Sequence, residues 1–306
     1  MRLVSYAAST SPIGSWRAGV LVGNRVVDAE AVGGRLWPER KLTAFASVRA
    51  LLALDASDRE ELGQAASNAG EDAVGTLEDV VLGPPVPDPD KILCLGLNYR
   101  QKAADVAMAV PDAPVLFAKF RNCLVGSGAS IVLPGASNMV DYEGELAVVI
   151  GRRCKHATER DALAYVAGYM PFNDVSARDL QFQTPQWTTG KAPDTFAPCG
   201  PALTLADEVE DVHALELTTR LNGATVQQAN TSQMILTVGA AIAFVSRTIT
   251  LEPGDIIATG TPSGVGLSAK PPVFLKESDV VEIEIEGLGV LRNPVAAEPA
   301  SADRPG

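Results

Sequence analysis

The residues best suited to chemistry stand in one stretch, Asp141-Tyr142-Glu143-Gly144-Glu145-Leu146-Ala147-Val148-Val149-Ile150-Gly151. Its second half, Leu146 to Ile150, is apolar and rich in β-branched residues, and reads as a buried strand. Its first half carries acids at 141, 143 and 145. A strand alternates faces with period two, so these three carboxylates are predicted to share one face. Like charges at the mouth of a buried strand repel one another and are costly to desolvate. A hard divalent cation relieves both costs, and Mg²⁺, Mn²⁺ and Ca²⁺ prefer oxygen ligands. Gly144 is read as leaving space beside the pair. A solvated acidic strand end is the plainer alternative.

Two further stretches carry polar groups that could converge on such a site. One runs from Gly168 to Gln181 and includes Asn173, Asp174, Ser176, Arg178, Asp179 and Gln181. The other, Gly96-Leu97-Asn98-Tyr99-Arg100-Gln101-Lys102-Ala103-Ala104-Asp105, follows the apolar strand Lys91 to Leu95, a place where polar groups face clefts. Its segment from Arg100 to Met108 has helical composition, stops before Pro111, and could serve as a lid. Lys191, in a turn-rich stretch after Trp187, reads on its own as a surface cation. The loop Thr259-Gly260-Thr261-Pro262-Ser263-Gly264-Val265-Gly266 is glycine-rich but is no Walker A loop, since no Gly-Lys-Ser/Thr follows.

The elements that must position these groups can be read in order. Arg17 to Asp28 is predicted as two strands around Gly23-Asn24, and Ser47 to Leu54 and Asp58 to Ala66 as helices. Pro84 to Pro89 is a stiff linker. It divides a small N-terminal domain, residues 1–85, from a larger unit, residues 90–295. Val115 to Phe120 and Ser130 to Leu133 are predicted strands. Thr158 is predicted to cap a helix from Glu159 to Ala167, and Thr231 to Ser246 reads as one apolar helix. Leu215 to Leu221 ends in the hairpin signal Asn222-Gly223. Ile256 to Ala258 and Val280 to Glu286 are strands, and residues 296–306 a disordered tail.

Bulk properties narrow the function classes. The 306 residues are 46% hydrophobic and 20% charged, with 37 acidic against 25 basic residues and a formal net charge of −12. That balance argues against a nucleic-acid or anionic-membrane surface, while leaving room for a small anionic substrate held by local cations. Cys94, Cys123, Cys154 and Cys199 show no paired spacing, which favours reduced thiols. No signal-peptide run opens the chain, and the longest apolar stretch, Met234 to Val245, is too short to span a bilayer. A cytoplasmic protein is expected.

Taken together, the blocks resemble the fumarylacetoacetate hydrolase family. They are Gly96-Leu97-Asn98-Tyr99-Arg100, Asp141 to Leu146, Asn173 to Gln181, Lys191 with Asp194-Thr195-Phe196, and Pro253-Gly254-Asp255 with the loop Thr259 to Gly266. They run in family order over about residues 90–295. The resemblance implies an α+β, β-rich fold: a mixed β-roll catalytic domain with a small N-terminal α/β domain, assembled as a homodimer. It implies Mg²⁺ or Mn²⁺, with Ca²⁺ as a further option, held by Glu143, Glu145 and Asp174. It implies small β-keto, β-diketo or enol acid substrates whose carbonyl the metal polarises. Lys191 matches the family's substrate lysine; Tyr99, Arg178 and Gln181 match its polar pocket; Thr259 and Gly260 match its carboxylate-contacting loop.

One departure matters. Hydrolytic members carry a histidine and a glutamate in the lid, where this chain has Lys102 and Asp105. His156 and His213 fall outside the family blocks. A lysine is a poor base at its ordinary pKa of ~10.4, but burial beside a cation lowers it. The catalytic set implied is therefore Lys191, Lys102 and Asp105. Three functions follow: a metal-dependent C–C bond hydrolase of an acylpyruvate-like β-diketo acid as first reading; an isomerase, tautomerase or decarboxylase of a related keto or enol acid; and a binding protein that lost the dyad.

Overall fold

The computed structural model describes residues 1–8, 14–70, 73–105 and 113–299, with the side chains of 103–105 excepted. The architecture is α+β and rich in strands. Its organising element is the strand Gly144–Ile150, buried along its whole length. Leu146, Val148 and Ile150 face one hydrophobic core, with Ile283, Ile285, Leu217 and Leu291. Ala147 and Val149 face another, with Met170, Phe172, Val48, Leu51 and Leu62. Both faces are covered, which is why the run is apolar without alternation.

This strand lies inside an 11-stranded sheet. It pairs antiparallel with Val166–Asn173 on one side and with Ile256–Ala258 on the other. Ile256–Ala258 runs parallel to Ile92–Gly96, which pairs antiparallel with the edge strand Val115–Lys119. In the other direction Val166–Asn173 leads to Leu203–Leu205, and that strand to Arg2–Ala7, Arg17–Val22, Arg25–Asp28 and Ala73–Thr76. The sheet therefore crosses the Pro84–Pro89 linker. The N-terminal helices Val48–Leu52 and Ala56–Asn68 supply the Val48, Leu51 and Leu62 that cover one face of the central strands. A second, five-stranded sheet covers the opposite face: Ala224–Asn230, Glu216–Leu221, Val280–Ile285, Gly289–Ala297 and Ile131–Leu133.

Several local expectations hold. Asn222 and Gly223 turn the hairpin with φ of 52° and 81°, as a type I′ turn requires. Others need correction. The helix expected over Glu159 to Ala167 is a short 3-10 turn, Ala162–Tyr165, followed at Val166 by strand. Val166 pairs with Ile150, so sheet pairing overrides the local helical composition. The single helix expected over Thr231 to Ser246 is split into a 3-10 turn, Thr231–Gln233, and an α-helix, Val238–Ser246. Asn98 holds the break open: its backbone oxygen accepts from Ile235 N at 2.7 Å and its Oδ1 from Leu236 N at 2.7 Å. Thr237 then caps the second helix, its Oγ1 accepting from Ala240 N at 3.0 Å. Of the tail expected over 296–306, Ala296 and Ala297 instead pair with Val132 and Leu133, and residues 300–306 lie outside the described residues. The lid helix is described over Arg100–Asp105; its expected end at Met108 lies outside the described residues. No described helix is long and apolar enough to cross a membrane.

Candidate metal and keto-acid site

The register of two neighbouring strands builds the centre. Gly144 pairs with Asn173 and Glu145 with Phe172. Beyond the ladder, Asp174 N donates to Glu143 O at 2.9 Å, and Glu143 N donates to Asn173 Oδ1 at 3.0 Å. These bonds set Asp174 beside Glu143, although 31 positions separate them in the chain. One carboxylate oxygen from each of Glu143, Glu145 and Asp174 lies within 4.8 Å of the others, and all three residues are buried.

Asp141 does not join them. Strand geometry stops at Asp141 and resumes at Gly144, so period two does not carry through Tyr142 and Glu143. Asp141 instead accepts from Arg178 Nε and Nη2 at 3.0 and 2.9 Å, and from the amides of Gly266 and Leu267 at 2.7 and 3.0 Å. It fixes Arg178 and the glycine loop. Nor does Gly144 leave open space: a Cβ there would meet Thr219 Oγ1 at 2.1 Å.

Cations frame the carboxylates. Lys191 Nζ bridges Glu143 Oε2 and Asp174 Oδ2, at 2.6 Å each. Arg178 Nη2 donates to Glu143 Oε1 at 2.7 Å and Nη1 to Gln181 Oε1 at 3.0 Å. Lys102 Nζ stands 3.9 Å from Glu143 Oε1. Burial would raise the Glu143 carboxyl, but Arg178, Lys191 and Lys102 outweigh it and hold it well below the usual range. Glu145 goes the other way: burial, then the charges of Asp174 and Glu143, push it well above. Lys191 is raised, since Asp174 and Glu143 outweigh the burial that lowers it. Lys102 is lowered to about 8, mainly by burial, with Glu143 opposing.

The donor set fits a hard divalent cation. It is all oxygen and buried, and Glu145 is pushed up by burial and by the charges of Asp174 and Glu143. Asp174 Oδ1 lies 2.8 Å from Lys119 Nζ yet accepts no hydrogen bond. The Lys119 donors go to three backbone oxygens instead. A buried carboxylate oxygen met by an ion pair and no hydrogen bond has lone-pair capacity that a metal ion can take up.

A cavity of about 110 Å³ opens over the carboxylates, with Lys102, Arg178, Gln181, Lys191 and Thr261 on its polar side. Leu97, Phe117, Phe182, Trp187 and Leu267 form its apolar wall. Phe117 and Trp187 meet edge to face at 5.3 Å, and Lys191 Nζ lies 4.9 Å from the Phe117 ring centre. Leu97 enters the wall with φ of 59°, a conformation uncommon outside glycine. No histidine is among the described lining residues.

Other residues singled out from sequence are placed differently. Tyr99 is buried in the hydrophobic core and does not line the cavity; its hydroxyl has no hydrogen-bond partner among the described residues. Thr259 spends its hydroxyl and its amide on Leu146 O, at 2.9 and 3.0 Å, bracing the central strand. Thr261, not singled out, lines the cavity and donates to Gly144 O at 2.9 Å. Gly260 N donates to Glu145 Oε2 at 2.8 Å. The Asp105 side chain lies outside the described residues. Lys119 was missed, although a charge ending the apolar run Val115-Leu116-Phe117-Ala118 is itself a signal. Two larger grooves, of about 630 and 600 Å³, lie beside Ala56–Asn68 and gather no comparable cluster.

The strand-built carboxylate triad lies beneath a lysine- and arginine-lined cavity, and comparison gives the family that carries it. Residues 91–296 match the family model of the fumarylacetoacetate hydrolase C-terminal domain, and the chain belongs to that family. It is 50% identical over 212 residues to a mitochondrial oxaloacetate tautomerase of Rattus norvegicus, covering 69% of this chain and 68% of that protein. A mitochondrial oxaloacetate tautomerase of Xenopus laevis is 40% identical over 305 residues, covering 96% and 90%. Among solved structures, a maleylpyruvate hydrolase of Sphingobium in complex with manganese and pyruvate superposes with a TM-score of 0.76 at 31% identity, covering 98% of this chain and all of that one. A 5-carboxymethyl-2-hydroxymuconate delta-isomerase of Mycobacterium smegmatis superposes with a TM-score of 0.72 at 30% identity, covering 98% and 100%. The chain is thus an enzyme of a family that contains tautomerases, isomerases and hydrolases.

Proposed function

We propose that this chain is a divalent-metal-dependent tautomerase that exchanges the keto and enol forms of a small 2-keto acid, with oxaloacetate as the first substrate to test. The observation that carries the reading is Lys102. It is buried above Glu143, and no histidine stands among the described residues of the cleft. Hydrolysis needs a group that activates water. Tautomerisation needs only a proton taken from carbon and a proton delivered to oxygen. Lys102, as free amine, takes the proton from the carbon next to the keto group. The Lys191 ammonium faces the oxygen on which negative charge grows. Arg178, pinned to Asp141 and Glu143, is a fixed positive wall that keeps Glu143 ionised. The aromatic wall limits water around the reacting carbon. A Mg²⁺ or Mn²⁺ held by Glu143, Glu145 and Asp174 would supply Lewis acidity. The relatives named as oxaloacetate tautomerases support this order of readings over the hydrolase that sequence alone put first.

The test follows the ultraviolet absorbance of enol-oxaloacetate as it ketonises, with Mg²⁺ and with chelator. The enzyme should speed the decay only with metal, and Lys102→Ala should lower kcat by about 10²–10⁴-fold. Decay at the buffer rate would reject the reading. The hydrolase reading keeps one supporting observation, the likeness to maleylpyruvate hydrolase. Two acid products from an acylpyruvate would establish it, and release of CO₂ from oxaloacetate would indicate decarboxylation. A homodimer is part of the same proposal, checked by light scattering.

A further inference from the structure

We propose that Lys119 is a positioning residue for the metal-binding carboxylate Asp174, an inference that rests on the metal reading above. Lys119 ends the edge strand Val115–Lys119, and its side chain is wholly buried. Its ammonium donates to Val175 O at 2.9 Å, Lys191 O at 2.5 Å and Phe196 O at 2.7 Å. An ammonium has three donors, so none remains. The carbonyls belong to three separate segments. One follows Asp174 directly, one belongs to Lys191 itself, and one ends the turn through Thr195, which holds φ of 68°. A single side chain thus sets the backbone under a metal ligand and under the substrate-facing lysine. It also places a positive charge 2.8 Å from Asp174 Oδ1 without taking that oxygen as a hydrogen-bond acceptor. The three donors stay on the carbonyls, so Asp174 Oδ1 is met by an ion pair and not by a hydrogen bond.

Position and charge predict opposite signs, so the experiment separates them. Removing a positive charge beside a cation site, with nothing else changed, tightens cation binding. Removing the strut lets Asp174 and Lys191 move and loosens it. Mn²⁺ is titrated into metal-free protein by calorimetry for wild type, Lys119→Met and Lys119→Arg, with thermal melts alongside. Lys119→Met should weaken Mn²⁺ binding tenfold or more and lower kcat more than it changes KM. Lys119→Arg should recover part of the affinity. Where Lys119→Met does not fold, Lys119→Gln, neutral with two donors, carries the same expectation. A neutral variant with a lowered melting temperature but wild-type Mn²⁺ affinity would make Lys119 merely structural and overturn the inference. Tighter binding would overturn it as well, leaving charge alone. A wild type that binds no Mn²⁺ removes the metal reading itself, and the inference with it.

Discussion

Glu143 and Glu145 stand two residues apart and are pushed in opposite directions. Glu143 faces Arg178, Lys191 and Lys102, whereas Glu145 faces the charges of Asp174 and Glu143. Such a split assigns different work to chemically identical side chains. Glu143 is the ionised anchor that gathers cations. Glu145 is the carboxyl whose burial and like-charged neighbours a divalent cation would offset. Glu143→Gln keeps the shape and removes the charge. It should weaken Mn²⁺ binding at least tenfold and abolish metal-dependent ketonisation. Full activity of this variant in chelator-treated buffer would refute the carboxylate site. Lys102 behaves differently: Lys102→Ala should lower kcat without weakening Mn²⁺ binding, because it removes a positive charge beside the site and no ligand.

At the scale of elements, the site is the work of one strand register and one loop. The pairing of Gly144 with Asn173 decides that Asp174 meets Glu143. A slip by one residue would reverse which face each side chain occupies. The loop after Ile256–Ala258 brings Gly260 N to Glu145 Oε2. Gly260 has φ of 96°, and a Cβ there would meet Asn98 Cβ at 2.7 Å. Asn98 cannot yield freely, since its Nδ2 donates to Thr259 O at 2.7 Å. Gly260→Ala should therefore destabilise the fold by roughly 2–4 kcal/mol in denaturant melts and loosen Mn²⁺ binding through Glu145. An unchanged midpoint would show that the loop relaxes without cost. The splitting of Thr231 to Ser246 belongs to the same scale: Asn98, far away in sequence, captures backbone groups that a continuous helix would have used.

At the scale of the molecule, the sheet continues from the catalytic strands into the N-terminal strands through the pairing of Arg2–Ala7 with Leu203–Leu205. Such continuity predicts one cooperative unfolding transition; two transitions would support a separate N-terminal domain. Asp28 offers a probe far from the site. Its buried carboxylate accepts from Tyr6 OH, from Arg17 Nε at 2.8 Å and, as a helix cap, from Ala31 N at 2.7 Å. Burial alone would raise this carboxyl, but these partners lower it. A carboxyl depressed on folding stabilises the protein above its unfolded value of ~3.9. That contribution is lost as pH falls through the folded value. Asp28→Ala should cost roughly 2–3 kcal/mol at pH 7, and the gap to wild type should close in strong acid. A gap constant with pH would remove the charge from this account.

The sequence by itself determined the family, the buried central strand, the Asn222-Gly223 hairpin and the residue types of the site. Each is written in local pattern: apolar runs, turn residues, and motif blocks in fixed order. The resemblance already grouped Glu143, Glu145 and Asp174, and only the tertiary structure decided where the other polar groups go. Asp141, read with Glu143 and Glu145, is drawn away to Arg178 because strand geometry breaks at Tyr142 and Glu143. Thr259 braces a strand while Thr261 faces the cavity. Lys119, unremarked in the sequence, lies beneath Asp174 and Lys191. Local patterns follow from the geometry of neighbouring residues, whereas a buried charge is placed by long-range pairing, which joins segments that periodicity cannot relate.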